Sequence, residues 1–360
     1  MNILVYGAGP LGSLFAVRLL EGGHDVSLLA RGQRLADLRE YGVVLEDAVT
    51  GEQSITHVPV VEALDPEDDY ELVLIIMRKN HALQILPTLA ANQKVPTYLF
   101  LMNNAAGPGE LAAAVGPERV MLGFPTSGGE RDGHVIRIVP PFGGKAWTVP
   151  IGEIDGSITA RTRRVAHELE RMPGYKVEIR EDMDAWLKYH VAMLMPGLVP
   201  VMYATGADLE RLVRTRDALV LGVRGMKEAV HALQQAGVPC SPRGLCVIRH
   251  IPEPLLVWGI QKLLQMPGME AGTVGHAVAG RDEMQHLTDE FRHLVHNAGI
   301  ETPMIDHLYQ YYTSEAPELP DGRSILPLDW SGVYKAALLV TTMVAVCALV
   351  RSKRENGDEA

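Results

Sequence analysis

The sequence predicts a two-domain chain in which an α/β doubly wound sheet is followed by an all-α domain. Three observations predict it. A length of 360 residues exceeds what one ordinary core holds. Up to about residue 180, short apolar runs alternate with amphipathic helical patterns, and beyond Met183 the strand signal stops while helical periodicity continues. The reading divides the chain into 1–180, 181–330 and an apolar C-terminal helix with a polar tail over 331–360.

Ile3–Tyr6, Val26–Leu29, Leu72–Met77, Thr97–Leu101 and Val120–Leu122 are strand-like runs, separated by amphipathic stretches such as Leu11–Glu21 and His81–Ala91. The runs His134–Pro141 and Lys145–Ile151 flank a Pro-Pro-Phe-Gly-Gly segment and read as an antiparallel hairpin on the sheet edge. A helix near Ser157–Arg171 and a short strand at Lys176–Ile179 complete the first unit. Helical patterns over Asp184–Met195, Leu219–Gln235, Thr273–Asn297 and Thr302–Tyr312 make up the second.

Composition narrows the function classes. A hydrophobic content of 47% with 21% charged residues supports buried cores. The 44 acidic residues against 33 basic ones, net charge −11, argue against a nucleic-acid partner, and an anionic ligand would need a local basic pocket. Cys240, Cys246 and Cys347 form no CxxC pair and no zinc spacing, so they read as reduced core residues of a cytoplasmic protein without a bound metal. The first residues start directly with a strand and lack the features of a signal peptide. Residues 336–350 are uncharged and precede Arg351-Ser-Lys-Arg354. That stretch is shorter than the roughly 20 residues a spanning helix needs. It reads as a buried or oligomer-packing helix, a homodimer being one use, with membrane contact as the alternative.

Directly after the first strand comes Gly7-Ala8-Gly9-Pro10-Leu11-Gly12, a GxGxxG motif that opens a helix. Gly7 allows the tight turn, Gly9 lets backbone approach a pyrophosphate, and Gly12 lets the helix pack close to the strand. This is a Rossmann-like dinucleotide site. At the end of the second strand, where an NAD enzyme carries an acid, stand Ala30-Arg31, with Arg34 one turn on. Guanidinium groups suit a 2′-phosphate, so the expected cofactor is NADP.

These residues, with several later ones, resemble the ketopantoate reductase (2-dehydropantoate 2-reductase) family to about residue 315. The resemblance is carried by ILVYGAGPLGSLFAVRL, the strand ending LLARG and the lysine after ELVLIIMRK. It continues in the asparagine of LFLMNN, the stretch MLGFPTSGGERDGHV, the Trp186-Leu187-Lys188 sequence, and Glu283 ahead of Ala298-Gly-Ile-Glu-Thr-Pro303. It implies a Rossmann domain, a helical domain, and NADPH-dependent reduction of a 2-oxo acid between them. By position, Lys188 would protonate the carbonyl oxygen, Glu283 would bond a substrate hydroxyl, Asn103 would orient substrate near the nicotinamide, and Lys79 would lie close to both ligands.

The chain also departs from the family pattern. The asparagines expected one and two turns after Lys188 are replaced by Ala192 and Pro196, and Met195-Pro-Gly197 interrupts the helix. The usual Asn-Gly-x-Gly loop has become Asn103-Asn104-Ala105-Ala106-Gly107. A less polar carbonyl substrate than ketopantoate follows from these changes. Other two-domain dehydrogenases, acting on β-hydroxy acids or opine-type compounds, and a non-catalytic NADP-binding sensor or scaffold are the alternatives.

Overall fold

The computed structural model describes residues 1–141, 145–266, 269, 277, 280–313, 316–335 and 341–342. Strand β1 (Asn2–Tyr6) carries apolar side chains on both faces, and both faces are covered. Ile3 and Val5 pack into a core with Leu14 and Phe15 of the helix Pro10–Glu21. Leu4 and Tyr6 pack into another with Ala82, Leu86 and Leu89 of the helix Lys79–Ala91. A strand buried on both sides belongs in the middle of a sheet.

The main sheet has eight strands: β1, β2 (Asp25–Leu29), β5 (Val60–Val61), β6 (Leu72–Ile75), β7 (Tyr98–Leu101), β8 (Val120–Gly123), β11 (Trp147–Glu153) and β12 (Tyr175–Ile179). Their order is β12-β11-β8-β7-β6-β1-β2-β5, with β11 antiparallel to β8 and all other neighbours parallel. The chain runs from β1 outward through β2 and β5, then returns to place β6 on the other side of β1. Ligands of doubly wound sheets bind at such a switch point, outside the carboxyl ends of the strands. A second sheet, in the order β4-β3-β10-β9, is built from β3 (Val43–Asp47), β4 (Gln53–Thr56), β9 (Gly128–Asp132) and β10 (Val135–Val139).

The expected hairpin between 134–141 and 145–151 is not formed. The first run is β10, which pairs with β9 and β3, whereas the second is β11 in the main sheet. The actual hairpin turns at Asp132-Gly133, with Gly133 at φ 57, and a DG step is the stronger short-range hairpin signal. The helix expected at Ser157–Arg171 spans Ala160–Leu169, started by Thr159 in a capping box with Thr162.

After β12 the structure is helical: Met183–Leu194, Leu198–Tyr203, Leu209–Arg214, Arg216–Gln235, Glu253–Leu264, Arg281–Asn297 and Pro303–Thr313. The helix expected from Thr273 is described from Arg281, most of its earlier part lying outside the described residues. The break at Met195-Pro-Gly197 has a packing reason. A Cβ on Gly197 would come within 2.7 Å of Gly222 O and Met226 N, so the bend presses against the long helix Arg216–Gln235. Ala192 is fully buried in the same core.

The cysteine expectation is corrected. Cys240 and Cys246 form a disulfide, their Cα atoms 6.2 Å apart. The turns of Arg243–His250 bring the two residues together, which a spacing rule for CxxC pairs does not detect. Among the described residues no helix is long and apolar enough to cross a membrane, and the apolar segment 336–350, apart from 341–342, lies outside them together with its basic cluster.

The glycine motif separates into two kinds of position. A Cβ on Gly12 would lie 1.8 Å from Gly7 O, and one on Gly7, where φ is 122, would lie 2.3 Å from Ile76 O. Gly9 has nothing within 4 Å. Gly12→Ala is therefore expected to destabilise by about 2–4 kcal/mol, the range of strongly overpacked sites. Gly9→Ala is expected to leave thermal unfolding unchanged while weakening dinucleotide binding. Thermal melts with and without cofactor check both.

Candidate active site

Each side chain singled out in the first domain sits just past the carboxyl end of a parallel strand. Lys79 opens the helix after β6, Asn103 and Asn104 follow β7, and the GxGxxG turn follows β1. The open space above Gly9, at the N-terminus of the helix Pro10–Glu21, suits a pyrophosphate, which needs close backbone approach and a positive helix end.

Arg31 stands at the end of β2, exposed. Its Nη2 donates to Tyr6 Oη (2.9 Å) and its Nε to Glu62 O (3.3 Å), which holds the guanidinium beside the end of β1. Arg34 is different. Its guanidinium is buried and donates to Ala8 O (3.1 Å), Ser13 Oγ (3.1 Å) and His134 O (3.3 Å), so it braces the glycine turn. Burial, and then the nearby charge of Arg131, lower its pKa. Arg131, an exposed cation of β9, was not picked out from the sequence, since strand pairing alone brings it beside Arg34.

The second domain adds its residues through two helices. On Arg281–Asn297, Glu283, His286 and Glu290 follow an i, i+3, i+7 spacing and so share a face. That face meets the first domain. Lys79 N–H donates to Glu283 Oε1 (3.4 Å), and Ala105 N–H and Ala106 N–H both donate to Glu290 Oε2 (3.1 and 3.2 Å). The Lys79 ammonium, fully buried, lies 3.4 Å from Glu290 Oε1 and donates to Asn104 Oδ1 (2.9 Å). His286 Nε2 lies 3.3 Å from Glu290 Oε1. At the rim, Arg78 and Asn80 reach Asp282 at 3.0 and 2.8 Å.

On the helix Met183–Leu194, Lys188 Nζ donates to Asp184 Oδ2, one turn back. Both groups lie against Gly107, where a Cβ would come 3.2 Å from Asp184 Oδ1 and 3.3 Å from Lys188 Nζ. Gly107 N–H donates to Asn104 Oδ1 (3.0 Å), so one loop links the two lysines. The structure thus brings Lys79, Asn103, Lys188 and Glu283 to one place, with Asn104, Asp184, His286 and Glu290 among them. Two buried acceptors, Asn103 Oδ1 and Asp184 Oδ1, have no hydrogen-bond partner among the described residues. Ala192 and Pro196 are buried in apolar packing, which closes the helix face where polar contacts were expected. The described residues hold no cluster of side chains suited to a metal ion.

Residues 3–141 match the family model described as ketopantoate reductase PanE/ApbA. Over that region the chain is similar to the ketopantoate reductase family. The uncharacterized oxidoreductase YkpB of Bacillus subtilis (strain 168) is 24% identical over 250 residues, 67% of this chain and 78% of that protein. Among solved structures, the 2-dehydropantoate 2-reductase of Geobacter metallireducens GS-15 matches with a TM-score of 0.71 at 16% identity, covering 88% of this chain and all (100%) of that one. The PanE/ApbA family ketopantoate reductase of Ralstonia eutropha JMP134 matches at 0.70 and 19% identity, covering 87% and 98%. D-mandelate dehydrogenase, solved with NADH and anilino(oxo)acetate, matches at 0.70 and 14% identity, covering 87% and 97%. These neighbours share the fold, a Rossmann-like sheet domain followed by a helical one.

Glu283 is the most perturbed carboxyl of the site. Burial raises its pKa to about 7, against the Lys79 N–H bond and the charge of Arg78, which lower it. A carboxyl whose pKa rises on folding favours the folded state when protonated, so its contribution is full at low pH and is lost as pH rises from about 4.5 to about 7. Unfolding free energy is expected to fall across that window by on the order of 3 kcal/mol from this group. Glu283→Gln should remove that part of the slope, measured by denaturant unfolding at a series of pH values.

Proposed function

We propose that this protein is an NADPH-dependent oxidoreductase that reduces the ketone of a small 2-oxo acid or related carbonyl compound to the corresponding alcohol. The observation that carries the reading is the gathering of Lys79, Asn103, Lys188 and Glu283, from four separate parts of the chain, beside the carboxyl ends of β6 and β7. The match of residues 3–141 to the family model and the dinucleotide turn support the same reading.

Bound NADPH would supply the hydride. Hydride addition turns the carbonyl carbon into a C–H centre and places the electron pair of the C=O π bond on oxygen, so the oxygen needs positive charge and then a proton. Lys188 is the group to give it. Its ammonium has three N–H bonds, one of which is directed at Asp184, which leaves others to serve a ligand oxygen. The ammonium is restored from solvent, and the balance is ketone plus hydride plus proton giving alcohol. Asn103, buried beside Glu283, orients the ligand, and Glu283, with a pKa near 7, either donates to or accepts from a substrate hydroxyl. Lys79 holds the Asn104 loop in place from below.

Lys188→Ala is expected to lower kcat by about 10²- to 10⁴-fold, the usual worth of a positioned acid, while NADPH still binds. Full turnover by that variant would remove Lys188 from the mechanism. Tight NADPH binding with no turnover of any carbonyl by the unaltered protein would favour a sensor instead.

The exposed Arg31 at the end of β2 supports NADP over NAD. Arg31→Asp should weaken NADPH binding by at least about tenfold more than NADH binding, as expected from losing a charge-assisted contact and adding a repulsive one. Equal losses, measured by fluorescence titration, would remove the 2′-phosphate assignment.

A further inference from the structure

We infer that Tyr6, the last residue of β1, is a positioning residue that sets the preference for NADPH over NADH by holding Arg31 in the orientation that receives the 2′-phosphate. The inference rests on the cofactor reading above and deepens it.

A long side chain that must be ordered when its ligand arrives loses rotamer entropy at that moment, and one already held in place does not. Arg31 is held at two atoms. Its Nη2 donates to Tyr6 Oη (2.9 Å) and its Nε to Glu62 O (3.3 Å). Those bonds occupy the side edge of the planar guanidinium, Nε with one hydrogen of Nη2. The end edge, Nη1 with the other hydrogen of Nη2, carries no bond among the described residues. Two parallel N–H groups on such an edge are what a phosphate accepts in bidentate fashion. The phenol makes the shorter of the two anchoring bonds and is itself fixed: Tyr6 is 3% exposed and packs in one core with Leu29, Leu64 and Ala82.

Both anchors are uncharged, which sets Arg31 apart from the two lysines of the site. Lys79 and Lys188 lie beside carboxylates, those of Glu290 and Asp184. A carboxylate would orient the Arg31 guanidinium equally well, but it would cancel the charge and repel an incoming phosphate. A phenol orients it and leaves the charge whole. Burial raises the Tyr6 pKa, against the charge and the bond of Arg31, so the phenol stays neutral. Glu62, whose carbonyl is the other anchor, turns its carboxylate to Arg39 (2.8 Å). The place also fits. Tyr6 pairs with Leu29 across β1 and β2, Arg31 lies two residues beyond, and the ribose of a dinucleotide bound at the glycine turn is read at the end of the second strand. NADH has no phosphate for this edge, so loss of the anchor affects NADPH alone.

The test uses the full-length protein and measures NADPH and NADH dissociation constants by fluorescence titration for the unaltered chain, Tyr6→Phe, Arg31→Ala and the double variant. Tyr6→Phe removes one oxygen and keeps the ring, whose centroid lies 5.9 Å from Arg31 Cζ. NADPH binding is expected to weaken about three- to tenfold in Tyr6→Phe, with NADH binding changed by less than about twofold. In the Arg31→Ala background the same substitution should alter neither, because nothing is left to position. Equal weakening of both nucleotides, no weakening of NADPH, or a Tyr6→Phe effect that persists without Arg31 would overturn the inference while leaving Arg31 as the phosphate ligand. Equal losses of NADPH and NADH in Arg31→Ala would overturn the cofactor reading itself, and the inference with it. Thermal melts establish that each variant is folded, and Tyr6→Leu repeats the comparison should Tyr6→Phe fail to fold.

Discussion

The carboxylate of Glu290 is the interaction on which the site depends. It reaches from the helical domain into the sheet domain, takes two backbone N–H groups of the loop after β7, and lies beside the fully buried Lys79 ammonium. Burying a charge is unfavourable by several kcal/mol unless it is paired and hydrogen-bonded, and neither Lys79 nor Glu290 meets that condition without the other. The two domains are thus not simply adjacent. Loop 104–107 takes its shape from a residue of the second domain, and Gly107, at the end of that loop, is where Lys188 and Asp184 make their approach. One carboxylate consequently sets the distance between the lysine after β6 and the lysine on the Trp186 helix.

Much of this was legible in the sequence, and the rest was not for identifiable reasons. The βαβ unit and its glycines were legible because a turn with no room for Cβ leaves a nearly unambiguous residue pattern: Gly7 is held to glycine by Ile76 O, and Gly12 by Gly7 O. Lys79, Asn103, Lys188 and Glu283 came from the family resemblance and not from periodicity. Glu290 and Asp184 were missed although their spacings to Glu283 and Lys188 mark shared helix faces, because acids at helical spacing look the same whether they face water or another domain. Asn104 was passed over for its neighbour Asn103, and only three-dimensional contact shows that Asn104 holds Lys79 and Gly107. The hairpin was misplaced because two apolar runs flanking a Pro-Gly segment outweighed the shorter DG signal. The Cys240–Cys246 bond depends on the path of a loop, and composition says nothing about that path.

The departures from the family pattern form one consistent change. Apolar burial at Ala192 and Pro196 removes polar contacts from the helix face beyond Lys188, and Gly197 lets the chain bend tightly against the helix Arg216–Gln235. On the near side of Lys188, Asp184 brings a negative charge. Around Lys188 the helix therefore presents apolar wall at Ala192 and a carboxylate at Asp184. An unchanged scaffold with a different charge pattern is how one architecture serves several substrates.

The position of β1 has a further consequence, for the order in which the molecule assembles. Within the main sheet, β1 pairs with β2 at Ile3–Val26 and with β6 at Ile3–Leu72, and the second of these joins the residues farthest apart along the chain of any pairing there. Closing a longer loop loses more chain entropy, so this seam carries the largest closure cost of the sheet's pairings. It is also the switch point where the glycine turn meets Ile76. The crevice at the carboxyl ends of β1 and β6 thus lies at the join of the sheet that closes the longest stretch of chain, and a nucleotide bound across it would add to the stability of that join.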